Sequence, residues 1–104
     1  MKIKWVPDAK ASMRQITCYI NGRFGRVARQ DFLLKVKDTE KRLLLLPNIG
    51  IVDPLFADRT IPYRSIIING LSKMVYYIDG ETIYIAAFWD TRREPKKQAQ
   101  QVKD

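Results

Sequence analysis

From Lys2 to Val6 the chain alternates polar and apolar positions, KIKWV, and puts Ile3 and Trp5 on one face. That alternation predicts a short strand. Pro7-Asp8 stops it, and both residues suit the start of a helix. From Asp8 to about Phe24 the apolar period lengthens. Ala9, Met13, Ile16 and Ile20 fall on one helical stripe, with Lys10 and Arg14 off it. Asn21-Gly22 weakens this helix near its end, and Gly25 can terminate it. A second helix is predicted from about Arg26 to Leu46. Its stripe is Ala28, Phe32, Val36, Thr39, Leu43 and Leu46, its charges fill the other faces, and Pro47 ends it. So short a break between two amphipathic helices predicts an antiparallel helical hairpin.

Pro47 to Pro62, PNIGIVDPLFADRTIP, carries three prolines and fits neither period. Irregular segments this long are uncommon and are usually functional or specifically packed. Ile49, Ile51, Leu55 and Phe56 suggest packing on the core. Three strands follow, Tyr63–Asn69, Leu71–Ile78 and Glu81–Trp89, separated by the turn signals Asn69-Gly70 and Asp79-Gly80. A two-residue Asp79-Gly80 loop pairs Ile78 with Glu81, Tyr76 with Ile83, Met74 with Ile85 and Val75 with Tyr84. Met74, Tyr76, Ile83 and Ile85 then face the helices, and Lys73, Tyr77, Tyr84 and Phe88 line the opposite face. The predicted order is β-α-α-β-β-β, one α+β domain over residues 1–104, with a basic tail from about residue 91.

Composition changes the picture in three ways. Hydrophobic residues make up 46% of the 104 residues, so a packed core is expected rather than disorder. The net charge of +8 favours an acidic partner: nucleic acid, an anionic surface or an acidic protein. There is no histidine, which removes the commonest general base and metal ligand. Chemistry here would have to use Lys, Arg, Tyr, Asp or Glu. Asp and Glu are scattered without ligand spacing, so no metal and no cofactor are expected. Cys18, the single cysteine, can form no intrachain disulfide and is expected as a small core hydrophobe. No run of residues approaches a membrane span, and MKIKWVPD has no apolar leader pattern. A cytoplasmic protein with no membrane partner is expected.

The candidate functional residues cluster late in the chain. Arg92 and Arg93 follow the last strand, where planar guanidinium forks suit a phosphate or a carboxylate. Trp89 beside them can pack in the core, stack a base or anchor a partner. Arg59 and Arg64 flank the start of the late strands, with Asp53, Asp58 or Asp90 as possible ion-pair partners. Lys73 interrupts an apolar strand. Tyr77 and Tyr84 read as a cross-strand aromatic cluster.

The motifs KIKWVPDAK, YRSIIING and KMVYYIDGETIYIAAFWDTRREP, in this order, resemble the RelE/ParE superfamily of bacterial toxins from type II toxin–antitoxin systems. LPNIG and DPLFADR resemble the segment after the second helix in many members. The resemblance covers nearly the whole chain and is most specific over Met74–Pro95. It implies two helices packed on one face of a twisted antiparallel sheet, and a cognate antitoxin that covers the toxin. It also implies one of two activities. RelE-like members are endoribonucleases that cleave messenger RNA on the ribosome. ParE-like members inhibit DNA gyrase by binding and are not enzymes. RNA cleavage needs a base for the 2′-hydroxyl, cations for the phosphate and an acid for the leaving oxygen. The resemblance puts Lys73 and Arg92 at the cationic positions; in a RelE-like reading Tyr77 would serve as the tyrosine if it faces the same cleft. Tyr63, Tyr76 and Tyr84 are alternatives if one of them faces the same cleft. No tyrosine follows Tyr84, whereas RelE-like enzymes carry one near the C-terminus. WDTRREP is closer to ParE-like members. The expected function is therefore a ParE-like, plasmid-stabilisation toxin that binds its target or antitoxin through Arg59, Arg64, Trp89, Arg92 and Arg93. A RelE-like nuclease and a non-toxic basic nucleic-acid-binding domain are the alternatives.

Overall fold

The computed structural model describes residues 1–70 and 72–91. The elements run β1 (Lys2–Trp5), α1 (Pro7–Phe24), α2 (Arg26–Leu45), β2 (Ile51–Val52), a single 3-10 turn (Pro54–Phe56), β3 (Arg64–Ile68), β4 (Ser72–Asp79) and β5 (Thr82–Asp90). The α+β class and the order of helices and long strands are as expected. The sheet order is β1-β5-β4-β3-β2.

Two features of the sheet were not legible beforehand. β1 pairs with β5 in parallel, Lys2 beside Thr82 and Trp5 beside Ile85, so the sheet is mixed. Parallel neighbours need a long crossover, and the helical hairpin and later strands provide it. The short β2 also forms inside the irregular segment and pairs with Ser65 and Arg64.

Pro7 occupies the first turn of α1, where its missing N–H costs no helical bond. Asp8 lies in that turn, but the N-cap is Val6 and has no side-chain cap. Gly25 closes α1 and opens α2. Its N–H donates to Asn21 O at 3.0 Å, and its carbonyl accepts from Arg29 N at 3.2 Å. Its φ of 93° strains any residue with a Cβ. The α1 stripe packs as expected, with Ala9 buried and Met13, Ile16 and Ile20 against the core. On α2, Phe32, Val36, Thr39 and Leu43 are buried, while the helix stops at Leu45, and Leu46, its C-cap, is exposed. Cys18 is exposed rather than in the core. It stands two residues past Ile16, which puts it on the far side of α1 from the stripe.

The last hairpin differs in register from the expectation. Asp79 pairs with Thr82, Ile78 with Ile83, Tyr77 with Tyr84 and Tyr76 with Ile85. The loop is Gly80-Glu81, because Gly80 alone in this turn has a positive φ, 61°. A glycine at the first loop position is the pattern of a type II′ turn. A bulge between Val75 and Tyr76 then lets Val75 pair with Ala87 and Met74 with Phe88. Ala86 is the extra residue, and it reverses the alternation beyond it. Phe88 therefore faces the helices, contrary to expectation, with ring centroids 5.8 Å from Trp5 and 6.0 Å from Phe32. Trp89 turns to the opposite face.

The sheet buries both faces. On the helix side Met74, Tyr76, Ile83, Ile85 and Phe88 meet Phe32, Val36 and Leu43. On the other side Phe56, Tyr63, Val75, Ala87 and Trp89 form a second cluster. β4 anchors the irregular segment from the helix side as well. Tyr76 Oη accepts from Gly50 N at 2.9 Å and donates to Pro47 O at 2.8 Å. Gly50 sits so close that a Cβ would lie 2.8 Å from the Tyr76 ring and 2.9 Å from Ser65 O.

Tyr76→Phe removes both hydroxyl bonds and leaves the buried Gly50 amide unpaired. It should cost roughly 1–3 kcal/mol, which lowers Tm by about 4–8 °C per kcal/mol in a domain of this size. Thermal unfolding followed by circular dichroism reads this directly, and an unchanged Tm would contradict the anchor.

Candidate functional site

The face of the sheet away from the helices carries a ladder of five aromatic rings. Trp89 stacks with Phe56 at 6.5 Å, and Phe56 with Tyr63 at 5.0 Å. Tyr63 meets Tyr77 at 5.1 Å, and Tyr77 stacks with Tyr84 at 5.1 Å. Sequence explains half of this. Tyr77 and Tyr84 are directly opposite in the β4–β5 register, so their rings share a face. Phe56 and Tyr63 arrive from the irregular segment, which folds over the sheet beside them. One end of the ladder, Phe56 and Trp89, is closed over, while Tyr77 and Tyr84 are half-buried. Lys4 pairs with Tyr84 across β1 and β5, and its side chain is exposed. The accessible part of this face is therefore aromatic and basic.

Lys73 stands opposite Trp89 in the β4–β5 register. Its Nζ is 2.6 Å from Asp53 Oδ2, with the two side chains only 12% and 3% exposed. The other Asp53 oxygen accepts from Leu55 N at 3.0 Å and caps the 3-10 turn. Asp53 N donates to Tyr63 O at 2.8 Å. Lys73 thus neutralises the carboxylate that shapes the segment carrying Phe56 and Tyr63. The Lys73 ammonium is turned inward, not offered to a substrate on the surface.

Among the described residues, the other expected site residues do not form one cluster. Arg59 lies over the Phe56 ring, 5.5 Å from its centroid, with its Nε 3.7 Å from Asp58. That puts it on the ladder side. Arg64 instead donates from Nη1 to Gly50 O at 2.8 Å and to Asn48 O at 3.4 Å. It braces the segment that Tyr76 holds. Trp89 is buried, and its indole Nε1 has no hydrogen-bond partner among the described residues. Arg92 and Arg93 lie outside the described residues. Asp53 and Phe56 are the contributors the sequence hid. Asp53 was one of three carboxylates open to a cation, and only the observed fold selects Lys73. An aspartate before Pro-Leu-Phe is, in retrospect, a cap signal.

Two tyrosine hydroxyls are pushed upward in this setting. Burial raises the Tyr77 hydroxyl above its ordinary 10.0, and the neighbouring Tyr84 and Asp79 push it further up. Burial raises Tyr76 too, against the opposing pull of its Gly50 bond and of Arg64. Neither is tuned to lose a proton near neutral pH. Among the described residues no three His, Cys, Asp or Glu side chains are grouped to hold a metal, and no helix is long and apolar enough to cross a membrane. The arrangement suits docking of a partner on an aromatic, basic surface better than proton transfer.

Comparison with known proteins gives a coherent picture. The family model of the ParE toxin of type II toxin–antitoxin systems, parDE, matches residues 3–95. No curated protein sequence matches the chain. Among solved structures, the chromosomal ParDE toxin–antitoxin system from P. aeruginosa is similar with a TM-score of 0.69. The match is 18% identical and covers 86% of this chain and 95% of that one. At that identity the likeness is one of fold.

Two outcomes follow from the geometry. Lys73→Met leaves the Asp53 carboxylate buried and unpaired, and should destabilise by about 3–5 kcal/mol. Adding Asp53→Asn should restore much of that loss, because the uncompensated charge is gone; urea unfolding of the three variants measures both. The raised tyrosines give an alkaline limit. A phenol whose folded pKa exceeds its unfolded value stabilises below the unfolded pKa, and that contribution disappears as pH rises through the folded value. Stability attributable to Tyr76 and Tyr77 should therefore hold up to about pH 10 and fall above it. Absorbance at the phenolate band during alkaline titration should show late-ionising tyrosines, with one late phase lost in Tyr77→Phe.

Proposed function

This chain belongs to the ParE toxin family of type II toxin–antitoxin systems, and we propose that it acts by binding DNA gyrase, without cleaving nucleic acid, and is held inactive by a cognate antitoxin. The family match over residues 3–95 carries the toxin reading. The choice of binding over RNA cleavage is supported by Lys73. In a nuclease that lysine would face the scissile phosphate, whereas here it is paired with Asp53 and largely buried. The raised Tyr77 points the same way, since a general base works best with a pKa near the operating pH. The absence of histidine leaves few substitutes.

On this reading Arg92 and Arg93 supply the charged contacts to the target or the antitoxin, while Arg59, whose side chain is only 14% exposed, covers the Phe56 ring. Trp89 and Arg64 act from within the fold, Trp89 by supporting the ladder and Arg64 by bracing Asn48 and Gly50. The +8 charge favours an antitoxin with an acidic covering segment.

Purified protein should inhibit DNA supercoiling by gyrase and leave messages intact in a reconstituted translation reaction. Arg92→Ala with Arg93→Ala should relieve the inhibition without lowering Tm. Cleaved messages together with unimpaired gyrase would overturn the binding mechanism in favour of a ribosome-dependent endoribonuclease.

A further inference from the structure

A helix that packs on a sheet by one stripe is expected to be polar on its far side. On α2 that side carries a line of large apolar residues. Val27, Leu34 and Leu45 are 79%, 66% and 80% exposed. Leu34 stands two residues from both Phe32 and Val36, and Leu45 two from Leu43, so both turn away from the buried stripe. Val27, Leu34 and Leu45 are separated by seven and eleven residues, close to two and three whole turns, so all three share one outward line. It runs nearly the full length of the helix.

A row of charges flanks this line. Asp31, Lys35, Asp38 and Arg42 follow one another at spacings of four, three and four, so they occupy one flank with alternating sign. Within the helix they pair as Asp31–Lys35 at 3.0 Å and Asp38–Arg42 at 3.5 Å, with about half or more of each side chain exposed. Exposed pairs of this kind hold their partners weakly. Their groups therefore remain available to a second contact. Lys35 also reaches Asn69 Oδ1 at 2.9 Å, which keeps it at the margin of the flank.

Line and row are both self-complementary. Let a second α2 lie antiparallel to the first, about a two-fold axis level with Val36. That rotation reverses the helix and keeps each flank beside its own copy. Val27 then meets Leu45 of the second copy, and the two Leu34 side chains meet near the axis. On the flank, Asp31 falls opposite Arg42 of the second copy, and Lys35 opposite its Asp38. Every carboxylate of the row meets a cation, and each contact occurs twice. On the other flank Lys41 falls beside Gln30. The two Lys37 residues are the adverse neighbours there, but they stand to the side of the line, where long stems keep their ammonium groups in water.

We propose that two copies of this chain associate through α2, antiparallel about this two-fold axis. Val27, Leu34 and Leu45 form the apolar seam, and Asp31 of each copy pairs with Arg42 of the other. The contact is one helix face, below the size of a standard interface, and each copy carries a charge of +8. The association is therefore weak and reversible. α2 covers one face of the sheet, and the aromatic ladder lies on the other. The dimer thus turns both aromatic, basic faces outward, where the two can engage a partner together. This inference is independent of which target the toxin reading assigns.

The test is sedimentation equilibrium of the purified full chain, from micromolar to sub-millimolar concentration at physiological ionic strength. The average mass should rise with concentration toward that of a dimer. Leu34→Glu should hold the chain as a monomer and leave its circular dichroism melt unchanged, because Leu34 is exposed. Asp31→Arg alone and Arg42→Asp alone each set like charges opposite one another across the axis, and each should weaken association roughly tenfold or more. An equimolar mixture of these two variants should recover it, because each then meets the opposite charge in the other. Arg42→Asp also lowers the net charge, so general repulsion alone would make that variant associate more tightly. Its weaker association reports the specific contact. A wild-type chain that stays monomeric throughout overturns the proposal and leaves the α2 line to another protein. So does a dimer that Leu34→Glu leaves intact, or a mixture that associates no better than its parts.

Discussion

Strand β4 has to hold an irregular segment on both of its faces at once. Tyr76 takes Pro47 and Gly50 on the helix side, and Lys73 takes Asp53 on the other. The two side chains stand three residues apart, an odd number, so a strand must send them to opposite faces. The segment between Pro47 and Pro62 is thereby wrapped around the sheet's edge. Its first part crosses the helix side, a short strand forms at the edge, and Phe56 and Tyr63 come down on the far side. Without these anchors the second core cluster would lose the rings that cover Val75 and Ala87.

The same arrangement connects fold to function. Burying Lys73 against Asp53 is a structural use of a charge that could otherwise serve a phosphate. A buried pair of this kind contributes little net stability over an apolar pair, but it is costly to break from one side. It fixes where the aromatic ladder lies. The ladder in turn leaves Tyr77, Tyr84 and Lys4 at the accessible end, while Arg59 covers Phe56. The tight approach of Gly50 to Tyr76 has a second effect: β2 begins only at Ile51, and among the described residues no strand residue pairs with Ile67 on the side away from β4. Core packing and the short reach of β2 are thus two results of one anchor.

Much of this was legible in the residue pattern. The helices showed because Ala9, Met13, Ile16, Ile20 and Phe32, Val36, Thr39, Leu43 repeat at the helical period, and that period survives any detail of packing. The three long strands showed for the same reason. The hairpin register did not. Asp79-Gly80 permits two loops, and the choice depends on which residue takes the positive φ; that residue is Gly80, at the first loop position. The bulge at Ala86 was silent because an alanine looks alike on either face, yet it sent Phe88 and Trp89 to faces that simple alternation did not give. Lys73 could be singled out as odd in an apolar strand, but its partner lies 20 positions away in an irregular segment.

By itself, then, the sequence determined the local periods, the turn positions, the basic charge and the absence of a histidine, all of which depend on near neighbours or on composition alone. The WDTRREP ending and the strand motifs also carried the likeness to toxins of the ParE kind. Only the tertiary structure decided that β1 lies parallel to β5, that Lys73 pairs with Asp53, a carboxylate the pattern had offered to Arg59 and Arg64, and that β2 covers only Arg64 and Ser65 of β3. Each of those depends on which distant segments meet. That is settled by burying both faces of one sheet at once, and no local pattern records it.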